Sequence, residues 1–334
     1  TVALALSGSG AALAGTCIVS GTNEVTCNGV FTDDVTNTVP VIDLIPDLTL
    51  VVGTDGTTTV DPGFGVSGIS STWGGDATVI SYAAITTDGG DGIYMYSNGS
   101  ATVANYGAID TTASQFGAYG IDVAAYGDAA VTNGGSVEVY GVFYAAVGID
   151  VDAYAGDASI QNLADASVTA TSIYSVAIGA VAHSYNGDVE IGNAGEIHAY
   201  SVFGTAYGAI ADSDFGDSSL DNSGEITALS IYGRADGVLI GADDFAYLDN
   251  GADGTISAQS KYNAAYGAIV AGDSALAVNA GQISADGYNL ATGLRVNGSS
   301  GDASFFEEEK TGTSAGVRPR APGAGHSRRR KTSG

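Results

Sequence analysis

Basic residues are nearly missing from most of this chain: positions 1–304 carry only Arg234, Lys261 and Arg295, against 34 of the 37 acids. So acidic a body repels phosphate backbones, which argues against nucleic-acid binding. It suits an exposed surface that resists self-association or collects cations. Proline is down to 5 residues beside 50 glycines, which excludes a collagen-like or proline-rich stalk. No run of eighteen apolar residues occurs, so no transmembrane helix is expected. Apolar residues still make up 45% of the chain, enough to build a long core.

What fills the chain is a repeat with a period of about 29 residues. Gly127 onward reads GDAAVTNGGSVEVYGVF, Gly156 onward GDASIQNLADASVTATSIY, Gly187 onward GDVEIGNAGEIHAYSVF and Gly216 onward GDSSLDNSGEITALSIY. Four columns run through it. One is Asn105, Asn133, Asn162, Asn193, Asn222, Asn250 and Asn279; an aliphatic one includes Val137, Val168, Ile197, Ile226 and Ile256. An aromatic column holds Phe143, Tyr174, Phe203, Tyr232 and Tyr262, and a glycine column includes Gly148, Gly179, Gly208 and Gly237.

Inside each unit, apolar residues alternate with small or polar ones over three short runs separated by Gly, Asn and Asp. That is the pattern of three strands per unit, each too short to be stable alone. Stacking equivalent strands coil upon coil solves the problem, so the expected fold is all-β: a right-handed parallel β-helix with three short strands per coil. The asparagines are then expected to form a hydrogen-bonded ladder and the aromatics a stack of rings. The glycines supply either special backbone conformations or room for close approach.

The expected organisation has four parts. Residues 1–14 resemble the end of a signal peptide, with an A-x-A-like Ala12-Leu13-Ala14. Residues 15–74 form an N-terminal cap with the first irregular coils, 75–304 the regular repeats, and 305–334 a disordered basic tail with Arg328-Arg329-Arg330-Lys331. Cys17 and Cys27 bracket a plausible hairpin, and in an exported protein they are expected to be bridged.

The repeats GDASIQN, GDVEIGNAGEIHA and GDSSLDNSGEITA, with TCIVSGTNEVTC near the start, resemble those of bacterial autotransporter (type V secretion) passengers and related β-strand-repeat surface proteins. The likeness spans Cys17 to Ser304. It implies a secreted or outer-membrane-associated protein on the bacterial cell surface, acting as an adhesin without catalysis or cofactor. The implied partners are a host or neighbouring cell surface, or extracellular polysaccharide. An outer-membrane β-barrel translocator is also implied, and this chain does not include one.

The alternative is a carbohydrate-active β-helix enzyme. Polyuronate cleavage needs clustered carboxylates and cations, whereas Arg234, Lys261 and Arg295 fall at three different places within their units. Asp243-Asp244 is the one adjacent Asp pair in the repeats and reads as a pair of turn acids; His183 and His198 read as exposed loop residues. A further file, Asp76, Asp128, Asp157, Asp188, Asp217, Asp273 and Asp302, follows glycine in most units. Carboxylates there accept backbone N–H bonds in turns; stacked as Asp128, Asp157, Asp188 and Asp217, they are also candidates for Ca²⁺ held between coils.

Overall fold

Alternating burial along each short strand leaves one face to bury, and the chain buries it by winding. In a computed structural model of the protein, which describes residues 2–4, 15–20, 23–32, 35–36, 47–113, 117–299, 302–307 and 313–314, the chain is all-β. Three parallel sheets stack into a β-helix of about nine turns with about 29 residues each. One coil shows the plan. Val189–Asn193 belongs to the first sheet (A), Glu196–Ser201 to the second (B) and Ala206–Ser213 to the third (C). Each of these strands pairs in parallel with its equivalent one coil before and one coil after.

The registers match the columns. Asn133, Asn162, Asn193 and Asn222 are successive partners in sheet A. Val137, Val168, Ile197, Ile226 and Ile256 are partners in sheet B, although Val168 and Ile256 lie two residues late in sequence. The turns after Asn162 and Asn250 absorb the extra residues: Ala166 N–H closes on the Leu163 carbonyl and Gly254 N–H on that of Gly251. Inside, Ile149, Ile160, Ile191, Leu220 and Ile226 are fully enclosed in one continuous core. Each such side chain stabilises the coil by about 1.5–3 kcal/mol.

Close approach is the role of the glycine column. The alternation in sheet C breaks at this position: Ile178 faces outward, while Gly179 and Ala180 both face inward. The pairing skips the glycine, running Ile178 to Tyr207 and then Ala180 to Ala209. At Gly208 a Cβ would lie 2.5 Å from Ile226 Cγ2 and closer still to the Gly237 carbonyl oxygen. Only a residue without a side chain leaves sheets B and C this close.

The described ends extend past the repeat pattern. Glu24–Asn28, Val30–Phe31 and Val35–Thr36 already join sheets A, B and C in parallel register, well before residue 75. Thr16–Ser20 folds back antiparallel on Glu24–Asn28, with Cys17 opposite Cys27 and a disulfide between them. Ala303–Glu307 adds to sheet A across the expected boundary at 304. Of residues 1–14 only Val2–Leu4 is described, as a strand antiparallel to Thr16–Ser20; Ala12–Ala14 and Arg328–Lys331 lie outside the described residues.

Candidate functional site

Most repeated polar and aromatic columns are used up in holding coils together. Each asparagine of the buried ladder donates from Nδ2 to the Oδ1 of the next, from Asn105 to Asn279, at 2.7–2.9 Å. Ser172, Ser201, Ser230 and Ser260 donate to carbonyls of the preceding coil, and Ser184 and Ser213 do the same at the far end of sheet C. Phe143, Tyr174, Phe203, Tyr232 and Tyr262 stack with centroids 5.0–5.4 Å apart and planes within 16° of parallel. Their faces cover one another, so this ridge shows solvent mainly ring edges.

The Asp file is likewise engaged. Oδ1 of Asp128, Asp157 and Asp188 accepts the backbone N–H of the equivalent aspartate one coil on, at 2.9–3.1 Å. Asp217 accepts the N–H of Phe245 in the same way. One oxygen of each proposed Ca²⁺ ligand therefore already serves as a turn acceptor.

The outer face of sheet C departs from this regularity. One outward column reads Tyr94, Asp122, Asp150, Val181, Ile210, Leu239, Ile269, Arg295. The next reads Tyr96, Ala124, Asp152, His183, Asp212, Gly241, Ala271, Asn297 through the same pairings. On the other side of the glycines run Tyr119, Val147, Ile178, Tyr207, Asp236 and Tyr266. Val147 and Ile269 belong to neither core cluster, yet are only 3% and 7% exposed. Outward side chains on the two sides of the glycine therefore shield one another.

That shielding acts on the acids at the N-terminal end of the face. Burial raises the carboxyl of Asp91 to about 6, Asp122 to about 7 and Asp150 to about 8. Repulsion among neighbouring carboxylates adds to the shift at Asp122 and Asp150. Burial and the same carboxylates also push Tyr94 and Tyr119 upward. At the other end, Arg234 Nε donates to Asp236 Oδ1 at 2.7 Å and its guanidinium lies over the Tyr266 ring. Burial raises Asp236, and the arginine partly offsets this.

A second aromatic file, Tyr126, Tyr154, Tyr185 and Phe215, borders this face at the turn from sheet C to sheet A. It stops where the turn shortens, from residues 214–217 to Asp243-Asp244 and then Asp273 alone. Beyond Phe215, Gly241, Ala242, Ala271 and Gly272 line a groove of about 880 Å³. Asp212, Asp214, Asp243, Asp273 and Arg295 border it.

The structure moves both histidines out of loops and onto strands. His183 is on the outer face of sheet C and His198 on sheet B, beside Glu196. His183 stands between carboxylates of neighbouring coils: Nδ1 is 3.6 Å from Asp152 Oδ1, and Nε2 is 3.7 Å from Asp214 Oδ1. Asp243 joins Asp214 and Asp273 at the groove, and Arg295 faces the same space, whereas Arg234 and Lys261 sit at the turn from sheet B to sheet C. No protein-family model, curated protein or solved structure matches this chain.

Proposed function

We propose that the protein is a surface-exposed, autotransporter passenger-like binding protein that holds neutral extracellular polysaccharide along the outer face of sheet C. The observation carrying this reading is that the regular columns are internally satisfied, while the outer face of sheet C sets an unbroken aliphatic run, Val181 to Ile269, in line with shielded acids. Its Val181, Ile210 and Leu239 offer an apolar strip to the C–H faces of sugars. The flanking Asp and Tyr side chains offer hydrogen-bond partners for hydroxyls. A long chain laid along the helix axis meets successive coils every ~4.8 Å, and the negative body disfavours polyanions. Affinity electrophoresis through gels holding soluble β-glucan, galactomannan or polygalacturonate tests this. Retardation in a neutral gel and none in polygalacturonate is expected. Equal mobility in every gel would remove the reading.

One observation favours a second reading, hydrolysis of the bound chain. Asp122 and Asp150 are register partners whose carboxyls titrate near neutrality, the condition for a proton donor at pH 7. In that case Asp150 gives its proton to the leaving sugar oxygen as the glycosidic bond breaks. Water attacks the anomeric carbon, and Asp91, ionised above about 6, takes the proton that water releases. Reducing ends released from a retarding polysaccharide, and lost in Asp150→Asn, would establish this reading; intact polymer after prolonged incubation leaves binding alone.

A further inference from the structure

We infer that His183, Asp212 and Asp214 form a binding site for a first-row transition-metal ion of the Zn²⁺ type, with Asp152 as the residue that orients the histidine. One ligand atom from each of His183, Asp212 and Asp214 falls within 4.8 Å of the others. Coil stacking builds the site. Asp152, His183 and Asp212 are successive partners in one outward column of sheet C, and Asp214 follows Asp212 by two residues. Sequence separation hides the group, since its members come from three coils.

The two faces of the imidazole have different neighbours, and the difference assigns their roles. Nδ1 faces Asp152 and Nε2 faces Asp214, each at a separation longer than a hydrogen bond. A proton on Nδ1, drawn by Asp152, leaves the Nε2 lone pair directed toward Asp214. A carboxylate behind a histidine whose other nitrogen binds the ion is the usual outer-shell arrangement of metal sites. An ion about 2.1 Å from each ligand draws the three atoms closer together; rotation of the exposed Asp212 and Asp214 side chains supplies this movement.

One imidazole and two carboxylates suit Zn²⁺, Cu²⁺ or Ni²⁺ better than Ca²⁺, which prefers six to eight oxygens. Three protein ligands leave coordination positions for water or a ligand oxygen. Asp212 and Asp214 also border the groove beyond Phe215, so the ion would stand at its rim. His198, beside Glu196, has no comparable group among the described residues.

Calorimetric titration of the untagged, metal-free full chain with ZnCl₂ tests the site, with no glycan present, so its outcome is separate from that of the glycan reading. One saturable site per chain is expected, and it should survive millimolar Ca²⁺, which screens diffuse binding to the acidic body. His183→Ala and the double change Asp212→Asn, Asp214→Asn should weaken it at least about 100-fold. Asp152→Asn should weaken it by about 10–100-fold and leave the stoichiometry at one; Asp152→Glu should recover most of the affinity. His198→Ala should have no effect. Zn²⁺ binding that persists in a folded His183→Ala chain, that vanishes with His198→Ala, or that millimolar Ca²⁺ abolishes would overturn the proposal.

Discussion

The inward face of sheet A and the outer face of sheet C are built from the same coils, yet they follow different rules. Along the inward face of sheet A the aliphatic and asparagine positions keep their chemistry from coil to coil, and the buried asparagines bond to their own kind and to nearby backbone groups. Along the outer face of sheet C, one column passes from tyrosine through aspartate and aliphatics to arginine. Repetition is what stacking requires, because every residue's neighbour is its own equivalent. Outward positions are free of that requirement, and on sheet C they carry an aliphatic run from Val181 to Ile269 in line with shielded acids.

The largest effects should come from breaking a repeated column. Asn193→Leu removes one donor and one acceptor from the ladder and leaves Asn162 Nδ2, Asn222 Oδ1 and the Glu225 carbonyl short of partners. At about 1–3 kcal/mol for each buried group, denaturant unfolding should show a loss of about 3–5 kcal/mol. Gly208→Ala forces sheets B and C apart at a point of contact with Ile226 and the Gly237 carbonyl. Overpacking there should cost about 2–4 kcal/mol in the same assay.

A change on the aperiodic face should act through pH instead. Asp91, Asp122 and Asp150 bind protons more tightly folded than unfolded. Their contribution is therefore fully present below about pH 4 and is lost as pH rises through about 6, 7 and 8. Thermal melts in low salt should fall steadily between pH 5 and pH 9. Asp150→Asn, which removes a carboxyl that must ionise at high pH, should flatten that slope. It should stabilise the chain at pH 8.5 by on the order of 1–2 kcal/mol, a figure discounted for partial solvent access, and change little at pH 5. A melting temperature that rises with pH would show the face to be solvated like any surface. The smallest effect should belong to Phe203→Ala in the exposed ridge, where losing two ring contacts should cost about 1–2 kcal/mol in denaturant.

The same contrast explains what was legible in the sequence. Repeated columns can be read without a structure because each copy confirms the others, as Asn105 to Asn279 do. Even the displaced Val168 and Ile256 keep their place, since the turns before them absorb the extra residues. The second aromatic file was missed because its spacing from the following aspartate varies: two residues from Tyr126 to Asp128, three from Tyr154 to Asp157. His183 and His198 read as loop residues when each is taken with its neighbours in sequence. In a solenoid the neighbours of His183 are instead one coil away, at Asp152 and Asp212. The acids Asp122 and Asp150 sit in short IDV runs that look like ordinary strand. Their significance depends on the glycine break, which brings Tyr119 and Val147 alongside them.

The most direct test measures stability and polysaccharide binding together in two variants, Leu239→Glu at the middle of the outer face of sheet C and Phe203→Ala on the stacked ridge. At pH 5, where a carboxyl on this face stays protonated, Leu239→Glu should melt close to the parent chain yet bind the retarding neutral polysaccharide at least tenfold more weakly, a loss of about 1.4 kcal/mol. Phe203→Ala should lose stability and bind as before. Unchanged binding in Leu239→Glu together with lost binding in a folded Phe203→Ala would place the contact on the repeated columns and contradict the account.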